Sequence, residues 1–282
     1  MKRVLLTICA LLLLSRYAAA EERQFTLIAS TTAWQVAPGR TIPAYTYNGT
    51  VPGPVLRAFV GDTFRITLAN NLPVATTIHW HGLPVPNGMD GVPGLTSPIV
   101  RPGESFTYVF EVWAAGTYWY HPHTDSSGQI SRGLYGMLIV DPPVDADPPA
   151  YDREVLVMIG EYGAGAMMSG NMGTALLLIN GKTAPAIPDV YVRRGERVMF
   201  RIVNTGNMVH PMHVHGLHWL IVATDGFPLD SPYKKDTLPV NAGERFDGIL
   251  LADNPGAWMI HCHNLDHVTD RPAGLIFNFI VE

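Results

Sequence analysis

Hydrophobic and polar residues alternate along several short stretches of this chain. Clear examples lie at 64–68 (Phe-Arg-Ile-Thr-Leu), 105–110 (Ser-Phe-Thr-Tyr-Val-Phe) and 198–203. Alternation with a period of two is typical of half-buried β-strands. Pro-Gly pairs, which form turns, follow or precede such stretches at 52–53, 102–103 and 255–256. The pattern predicts an all-β protein, built as a sandwich or barrel, with no long helix.

Composition agrees with this prediction. The chain has 282 residues, of which 47% are hydrophobic, so it can bury a sizeable core and is long enough for about two domains. Charged residues make up only 15%, which argues against a charged disordered protein. The formal charge of −5 offers no basic face, so we expect no nucleic-acid partner.

The first 20 residues have the character of a secretory signal peptide. Two basic residues precede an apolar run at 4–14, which is too short to span a bilayer, and three alanines follow at 18–20. We expect cleavage after Ala20 and a periplasmic or secreted protein without a membrane anchor. Cleavage would remove Cys9 and leave 16 basic and 24 acidic residues, a net charge of −8. Cys262 would then be the one remaining cysteine, so no disulfide could form within the chain.

The rest of the chain repeats itself. His-Trp-His-Gly-Leu at 79–83 matches His-Val-His-Gly-Leu at 213–217, with an offset of 134, and His-Pro-His at 121–123 matches His-Cys-His at 261–263, with an offset of 140. A duplicated domain of about 120 residues explains both matches. The expected boundaries are a signal peptide at 1–20, a first domain at 21–142, a proline-rich linker at 143–152 and a second domain at 153–282.

Eight of the eleven histidines form four His-x-His pairs. On a strand, each pair presents two imidazoles on one face, about 6–7 Å apart. A single pair could bind zinc adventitiously or bind nothing, but four pairs at matching places in two domains favour a metal cluster. Cys262 must point away from His261 and His263, toward a metal of its own. With His210 and His267 it completes a set of one cysteine and two histidines, which is the geometry of blue-copper electron-transfer sites.

These motifs resemble those of the multicopper oxidases. His-Trp-His-Gly at 79–82, His-Pro-His at 121–123, His-Pro-Met-His-Val-His-Gly at 210–216 and His-Cys-His-Asn-Leu-Asp-His at 261–267 occur in the order of that family. With two domains, the chain looks most like the small two-domain laccases. The resemblance implies two tandem cupredoxin-like Greek-key domains and four copper ions per chain: one type 1, one type 2 and two type 3.

The resemblance also implies which residues hold each ion. It assigns the type 1 ion to His210, Cys262 and His267, and the type 2 ion to His79 and His213. It assigns one type 3 ion to His81, His121 and His263, and the other to His123, His215 and His261. In the first domain the repeat aligns Thr76, Pro122 and Ser127 with the three type 1 ligands. None of these is a usual copper ligand, so we expect one type 1 site per chain, in the second domain.

The sequence departs from the family after His267. An insertion within 268–273 delays the expected Gly-Met, and Gly274-Leu275 follows in its place, so Leu275 is the candidate axial residue. A non-coordinating axial side chain should raise the reduction potential of the copper. Val268 stands where the family often has an acid linked to proton delivery, and it cannot serve that role.

Several further residues have two interpretations each. Asp90 lies where the family has an acid that serves the cluster and is our candidate proton carrier, although a plain Asp-Gly turn is the alternative. Asp125 and Asp266 could orient imidazoles or be ordinary loop acids. His218 could line the approach to the type 1 copper or be a surface or packing residue.

The implied activity is oxidation of a small donor, one electron at a time, with O2 reduced to water. Phenols and aromatic amines are the generic donors. Met167, Met168 and Met172 suggest a second function, a cuprous oxidase for copper tolerance, because soft sulfur suits Cu(I); loop packing is the alternative explanation. A copper nitrite reductase, a non-enzymatic copper carrier and a zinc hydrolase are further alternatives. The resemblance implies a homotrimer, in which the first domain of one chain meets the second domain of the next and the clusters lie between subunits.

Overall fold

The structure is a computed structural model that describes residues 20–143, 146, 148–163, 176–268 and 274–282. These residues form nineteen strands, one short α-helix and two short 3-10 helices, so the prediction of an all-β protein is confirmed. Among them, no helix is long and apolar enough to cross a membrane. Residues 1–19 and the three methionines at 167, 168 and 172 lie outside the described part of the chain.

The N-terminal half contains eight strands and the helix. They are β1 (Glu22–Ala37), β2 (Arg40–Tyr47), β3 (Leu56–Phe59), β4 (Thr63–Asn70), β5 (His79–His81), β6 (Ser105–Glu111), β7 (Gly116–His121), α1 (Ser126–Ile130) and β8 (Gly136–Asp141). One sheet has the order β2-β1-β4-β6 and the other β3-β8-β7-β5. The alternation at 64–68 places Phe64, Ile66 and Leu68 in the core of this half.

The C-terminal half contains eleven strands. They are β9 (Arg153–Tyr162), β10 (Leu176–Ile179), β11 (Val190–Val192), β12 (Arg197–Asn204), β13 (His210–Val214), β14 (Trp219–Thr224), β15 (Phe227–Lys235), β16 (Thr237–Val240), β17 (Arg245–Leu251), β18 (Gly256–Cys262) and β19 (Ile276–Val281). Their sheets have the orders β10-β9-β12-β17-β14-β15 and β11-β19-β18-β13-β16.

The two halves share one pairing pattern. The first strand of each half pairs in parallel with the fourth, β1 with β4 and β9 with β12. The last strand of each half pairs in parallel with the third, β8 with β3 and β19 with β11. In each half the strand that carries the first His-x-His pair is antiparallel to the strand that carries the second. The sequence repeat is therefore a repeat of topology.

Each half has its own apolar core between its two sheets, centred on Trp80 and Tyr118 in the first and on Phe200 and Trp219 in the second. A smaller cluster joins the halves, where Trp119 and its neighbours on the β7–β8 sheet pack against residues of β9 and β12. The histidine-bearing strand β7 thus lies at the contact between the halves.

A buried polar network also joins the halves. Arg201, on β12, is 7% exposed and donates hydrogen bonds to Glu154, to Asp247 (2.9 Å) and to the hydroxyl of Thr117 on β7 (2.8 Å). Thr117 in turn donates to Asp247 (2.6 Å). Buried charges are tolerated only when they are paired and hydrogen-bonded, so this network constrains how the two halves meet.

Candidate metal sites

Strand register brings the predicted ligands together. In the N-terminal half His79 of β5 lies directly opposite His121 of β7, and in the C-terminal half His213 of β13 lies opposite His261 of β18. Side chains opposite each other on an antiparallel pair are close neighbours. The same register places Met212 opposite Cys262, on the other face of the sheet.

Four histidines of the N-terminal half form one set, which we call the N-terminal imidazole set: His79, His81, His121 and His123. The ring of His79 is central, with centroids 5.8 Å from His81, 5.3 Å from His121 and 5.4 Å from His123. Nδ1 of His81 lies 3.2 Å from Nε2 of His121. Ligand atoms of His79, His81 and His121 all lie within 4.8 Å of one another, which is close enough to share a metal ion.

The C-terminal imidazole set consists of His213, His215, His261 and His263, and it has the same arrangement. The ring of His213 is central, with centroids 5.0 Å from His215, 5.7 Å from His261 and 5.5 Å from His263. Nε2 of His215 lies 3.0 Å from Nε2 of His261. Each half therefore carries one half of a potential cluster.

Hydrogen bonds orient these rings for metal binding. In four of them Nδ1 faces a backbone carbonyl: His79 that of Asp90 (2.8 Å), His121 that of Pro122 (3.0 Å), His213 that of Asp236 (3.1 Å) and His261 that of Cys262 (3.0 Å). A carbonyl only accepts hydrogen bonds, so Nδ1 must carry the proton in each ring. In His79 and His213 the Nε2 lone pair is then free for a metal, the arrangement that outer hydrogen bonds give to metal-binding histidines. In His121 and His261 it lies against a second imidazole of the same set.

Burial also keeps two of the imidazoles neutral. It lowers the pKa of His121 to about 3, and, together with the positive charge of Arg245, it lowers the pKa of His81 to about 4. Neutral imidazole is the form that binds metal ions. His81 and His121 therefore present lone pairs rather than charges at neutral pH.

A separate group, the cysteine site, lies inside the core of the C-terminal half. Sγ of Cys262 is 3.4 Å from Nδ1 of His267 and 3.8 Å from Nδ1 of His210, and all three residues are at most 2% exposed. Burial raises the pKa of the Cys262 thiol to about 11. The thiolate therefore needs a cation beside it, and the chemistry of one thiolate with two imidazoles suits copper.

Leu275 lies beside the cysteine site and is fully buried in the same core. Its backbone N–H donates to the carbonyl of His267 (3.0 Å), and its own carbonyl accepts from the N–H of Cys262 (3.1 Å). Leu275 is thus bonded to two of the predicted type 1 ligands through its main chain.

Glu161 is a residue of the cysteine site that the sequence analysis missed. Its Oε1 lies 3.2 Å from Nε2 of His210 and accepts the N–H of Met208 (2.8 Å), and its side chain is 2% exposed. Burial alone would raise the pKa of Glu161, but these hydrogen bonds outweigh it and lower the pKa. The carboxylate thus holds a proton on Nε2 of His210 and leaves Nδ1 facing the sulfur. No motif marked Glu161, because it lies on β9, far from His210 in sequence.

The corresponding place in the N-terminal half is filled differently. The hydroxyl of Thr76 donates to Oε1 of Gln129 (2.8 Å), and Gln129 donates to the carbonyl of Ala75 (2.9 Å). Thr76 and Gln129 are at most 1% exposed. A satisfied hydrogen-bonded pair thus lies where the repeat would place the first type 1 ligand.

The remaining candidates have varied positions. Oδ1 of Asp90 lies 3.2 Å from Nδ1 of His79, the atom that the backbone carbonyl of Asp90 also contacts. Asp125 precedes α1, and Asp266 is exposed in a 3-10 turn; within the described chain, neither forms a hydrogen bond with an imidazole. His218 is exposed and belongs to neither imidazole set nor the cysteine site.

The two imidazole sets do not meet within one chain. Among the described residues, no ring contact joins a histidine of the N-terminal set to one of the C-terminal set. His123 and His263, the outermost members, are exposed to solvent. A single chain therefore contains the whole cysteine site, but its two imidazole sets remain separate halves of a potential cluster.

Comparisons with known proteins agree with this geometry. Two family models, both described as multicopper oxidase, match residues 29–145 and 159–282. Multicopper oxidase MmcO of Mycobacterium tuberculosis is 30% identical over 76% of this chain and 49% of its own length. Copper resistance protein A of Escherichia coli is 43% identical over 51% of this chain and 23% of its own length. The chain thus spans about half the length, or less, of these curated relatives.

A solved structure is similar over almost the whole chain. The blue copper oxidase from Nitrosomonas europaea has a TM-score of 0.85 and 33% sequence identity, and the match covers 92% of this chain and 86% of that one. The similarity therefore includes both halves of the chain.

Replacing Glu161 tests its role at the cysteine site. In Glu161→Ala, Nε2–H of His210 loses its acceptor, so we expect affinity for copper at this site to fall roughly 10- to 100-fold. Glu161→Gln keeps an oxygen acceptor and should lose far less. Competition with a chelator measures both, with Glu104→Ala, an exposed carboxylate of the other half, as the control. Parental affinity in Glu161→Ala would show that the carboxylate is only a packing group.

Proposed function

The protein belongs to the multicopper oxidase family, and on that premise we propose that it oxidises a small donor one electron at a time and reduces O2 to water. The observation that carries this proposal is the end of β18. There Cys262 faces the cysteine site while His261, its neighbour in sequence, belongs to the C-terminal imidazole set. Two metal sites joined by one covalent segment are what an enzyme needs to move electrons from a donor to O2.

The chemistry of these side chains, one thiol and ten imidazoles, fits copper. We propose that His210, Cys262 and His267 hold the type 1 ion, with Leu275 as the non-coordinating axial neighbour. The two imidazole sets would hold one type 2 and two type 3 ions, with His79 and His213, the central rings, on the type 2 ion. Free Nε2 lone pairs and the buried thiol support this assignment.

When bound, copper accepts single electrons at the cysteine site and reduces O2 at the cluster. The chain supplies position and exclusion of water. The core around Cys262 keeps solvent from the sulfur, and Glu161 keeps the ring of His210 turned toward it. Backbone carbonyls hold four cluster imidazoles in the tautomer that presents Nε2.

The placement of the cysteine site separates this function from one alternative. A copper nitrite reductase would have its type 1 site in the first domain and would lack the full set of eight paired histidines. Here the first half has the Thr76–Gln129 pair at that place. These observations favour an oxidase with one type 1 site per chain.

Reduction of O2 to water consumes protons, and Asp90 is the acid we propose to carry them. Its carboxylate lies 3.2 Å from Nδ1 of His79, at the edge of the N-terminal imidazole set, and is partly exposed to solvent. An acid that contacts both solvent and a cluster ligand can pass protons inward. The backbone carbonyl of the same residue orients His79, so orientation does not depend on the side chain.

The open cluster halves support a homotrimer. Because the two imidazole sets do not meet within one chain, we propose that the N-terminal set of one subunit joins the C-terminal set of the next, with three subunits closing the ring. His123 and His263 are exposed in the single chain and would be covered in such an assembly.

The donor we propose is a phenol or aromatic amine, as for a laccase-like enzyme that acts in the periplasm or outside the cell. A cuprous oxidase of copper tolerance is the second candidate, favoured by the similarity to copper resistance protein A. Steady-state rates with Cu(I) and with a phenol separate the two. A further variant that lacks 165–173 tests whether the methionines there serve Cu(I).

Cys262→Ser tests the central assignment. Loss of the thiolate should abolish the strong visible absorption and O2 consumption, while the eight imidazoles retain about three of four copper ions per chain. Absorption spectra, metal analysis and an oxygen electrode measure these three quantities. Met212→Leu, which alters the neighbour of Cys262 in the same core, serves as the control and should keep all of them. Continued O2 consumption by Cys262→Ser would refute the proposed electron route.

Asp90→Asn tests proton supply separately from ligand orientation. The backbone carbonyl of Asp90 still holds His79, so copper content should not change. We expect kcat to fall by about 100-fold or more, the usual effect of losing a positioned acid. Asp266→Asn, an exposed acid next to His267 that forms no hydrogen bond with an imidazole among the described residues, should leave kcat near the parental value. An unchanged kcat in Asp90→Asn would mean that Asp90 only forms a turn.

The assembly is tested by mass and copper content together. Light scattering of the copper-loaded protein should give three times the mass of one chain. Mild dissociation should remove the type 2 and type 3 signals but keep the blue absorption, because the cysteine site is complete within one chain. A monomer that holds four copper ions would contradict the proposed assembly.

A further inference from the structure

A cavity lies between the two halves, beside Ala146, Pro148 and Tyr151. Its volume is about 290 Å3. Its walls come from three parts of the chain: Gly116 and Val140 in the N-terminal half, Tyr151 after the linker prolines, and Met199 and Val222 on the C-terminal half. None of the predicted copper ligands lines it. It is therefore separate from the copper sites proposed above.

The walls are mainly apolar. Met199 and Val222, which are 4% and 5% exposed, belong to a small hydrophobic cluster on the six-stranded sheet, and Tyr151 packs against that cluster. A cavity of about 150 Å3 with apolar walls is enough to bind benzene in a protein interior. This one has room for a single aromatic ring with a substituent.

One polar donor is available at the cavity wall. Arg201 lines the cavity, and its Nε and Nη1 are used by Glu154, Thr117 and Asp247. The N–H groups of its Nη2 form no hydrogen bond with any described residue. A guanidinium has only donors, so a ligand in the cavity would meet Nη2 with a hydrogen-bond acceptor.

The charges around Arg201 decide which acceptor. The network contains three guanidinium groups and four carboxylates: Arg57, Arg201 and Arg245, with Asp141, Glu154, Asp225 and Asp247. Both oxygens of Asp247 already accept hydrogen bonds. With one carboxylate in excess, an anion would meet repulsion in a site of low dielectric constant. A neutral acceptor avoids that cost.

We propose that this cavity binds one neutral, single-ring aromatic molecule whose carbonyl or ether oxygen accepts a hydrogen bond from Nη2 of Arg201. The ligand is bound and not oxidised there, since no copper ligand lines the cavity. Because it contacts both halves and the linker, bound ligand stabilises their arrangement against separation.

Acetophenone is a suitable probe, because it is neutral, aromatic and resistant to one-electron oxidation. Calorimetric titration of the copper-loaded protein should show one saturable site per chain and a higher melting temperature at saturation. Benzoate, which adds a charge, and ethylbenzene, which lacks the acceptor, should each bind at least tenfold more weakly. If benzoate binds as tightly as acetophenone, the proposal that the ligand is neutral is wrong. If ethylbenzene binds as tightly, Arg201 does not contribute the proposed hydrogen bond.

Variants locate the site. Ala223 lines the cavity, so Ala223→Phe should fill it and weaken acetophenone binding at least tenfold, whereas Ala33→Phe, on an exposed strand face of the other half, should bind like the parent. Should Ala223→Phe fail to fold, a crystal of the parent soaked with 4-bromoacetophenone decides, because bromine scatters anomalously. Unchanged binding by Ala223→Phe, absence of saturable binding, or bromine placed elsewhere would each refute the proposal.

Discussion

The alternation of side chains at the end of β18 is the constraint on which the whole arrangement depends. Successive residues of a strand point to opposite faces, so Cys262 enters the core while His261 lies on the opposite face. One face carries the Cys262 thiol with two imidazoles, and the other carries the C-terminal imidazole set. Any shift of register by one residue would exchange the two faces and destroy both sites at once.

Burial gives each site its chemical character. Burial raises the pKa of the Cys262 thiol and lowers the pKa of His81 and His121, so these three side chains stay neutral at neutral pH. The hydrogen bonds that orient the histidine rings differ between the two sites. Cluster rings donate Nδ1–H to main-chain carbonyls, whereas His210 is held by a buried side chain, Glu161. Replacing a side chain can therefore disturb the cysteine site more easily than it can disturb the orientation of the cluster rings.

Duplication explains why the protein has one cysteine site and two cluster halves. Both repeats kept the strands that carry His-x-His pairs, in the same register. The first repeat has Thr76 hydrogen-bonded to Gln129 where the second has His210 hydrogen-bonded to Glu161, so a polar pair stands in place of a candidate metal ligand and its partner. Each repeat contributes one imidazole set, and the polar network around Arg201 links the two repeats through Thr117 and Asp247.

Local sequence was enough to predict the strands, the paired imidazoles and the opposite direction of Cys262, because these follow from a period of two and from residues close together in the chain. It could not predict Glu161, Gln129 or the free donor of Arg201, because each acquires its role from contacts between strands far apart in sequence. Nor could it show that the two imidazole sets stay apart within one chain. Distance between elements depends on how sheets pack, and only the tertiary structure decides that.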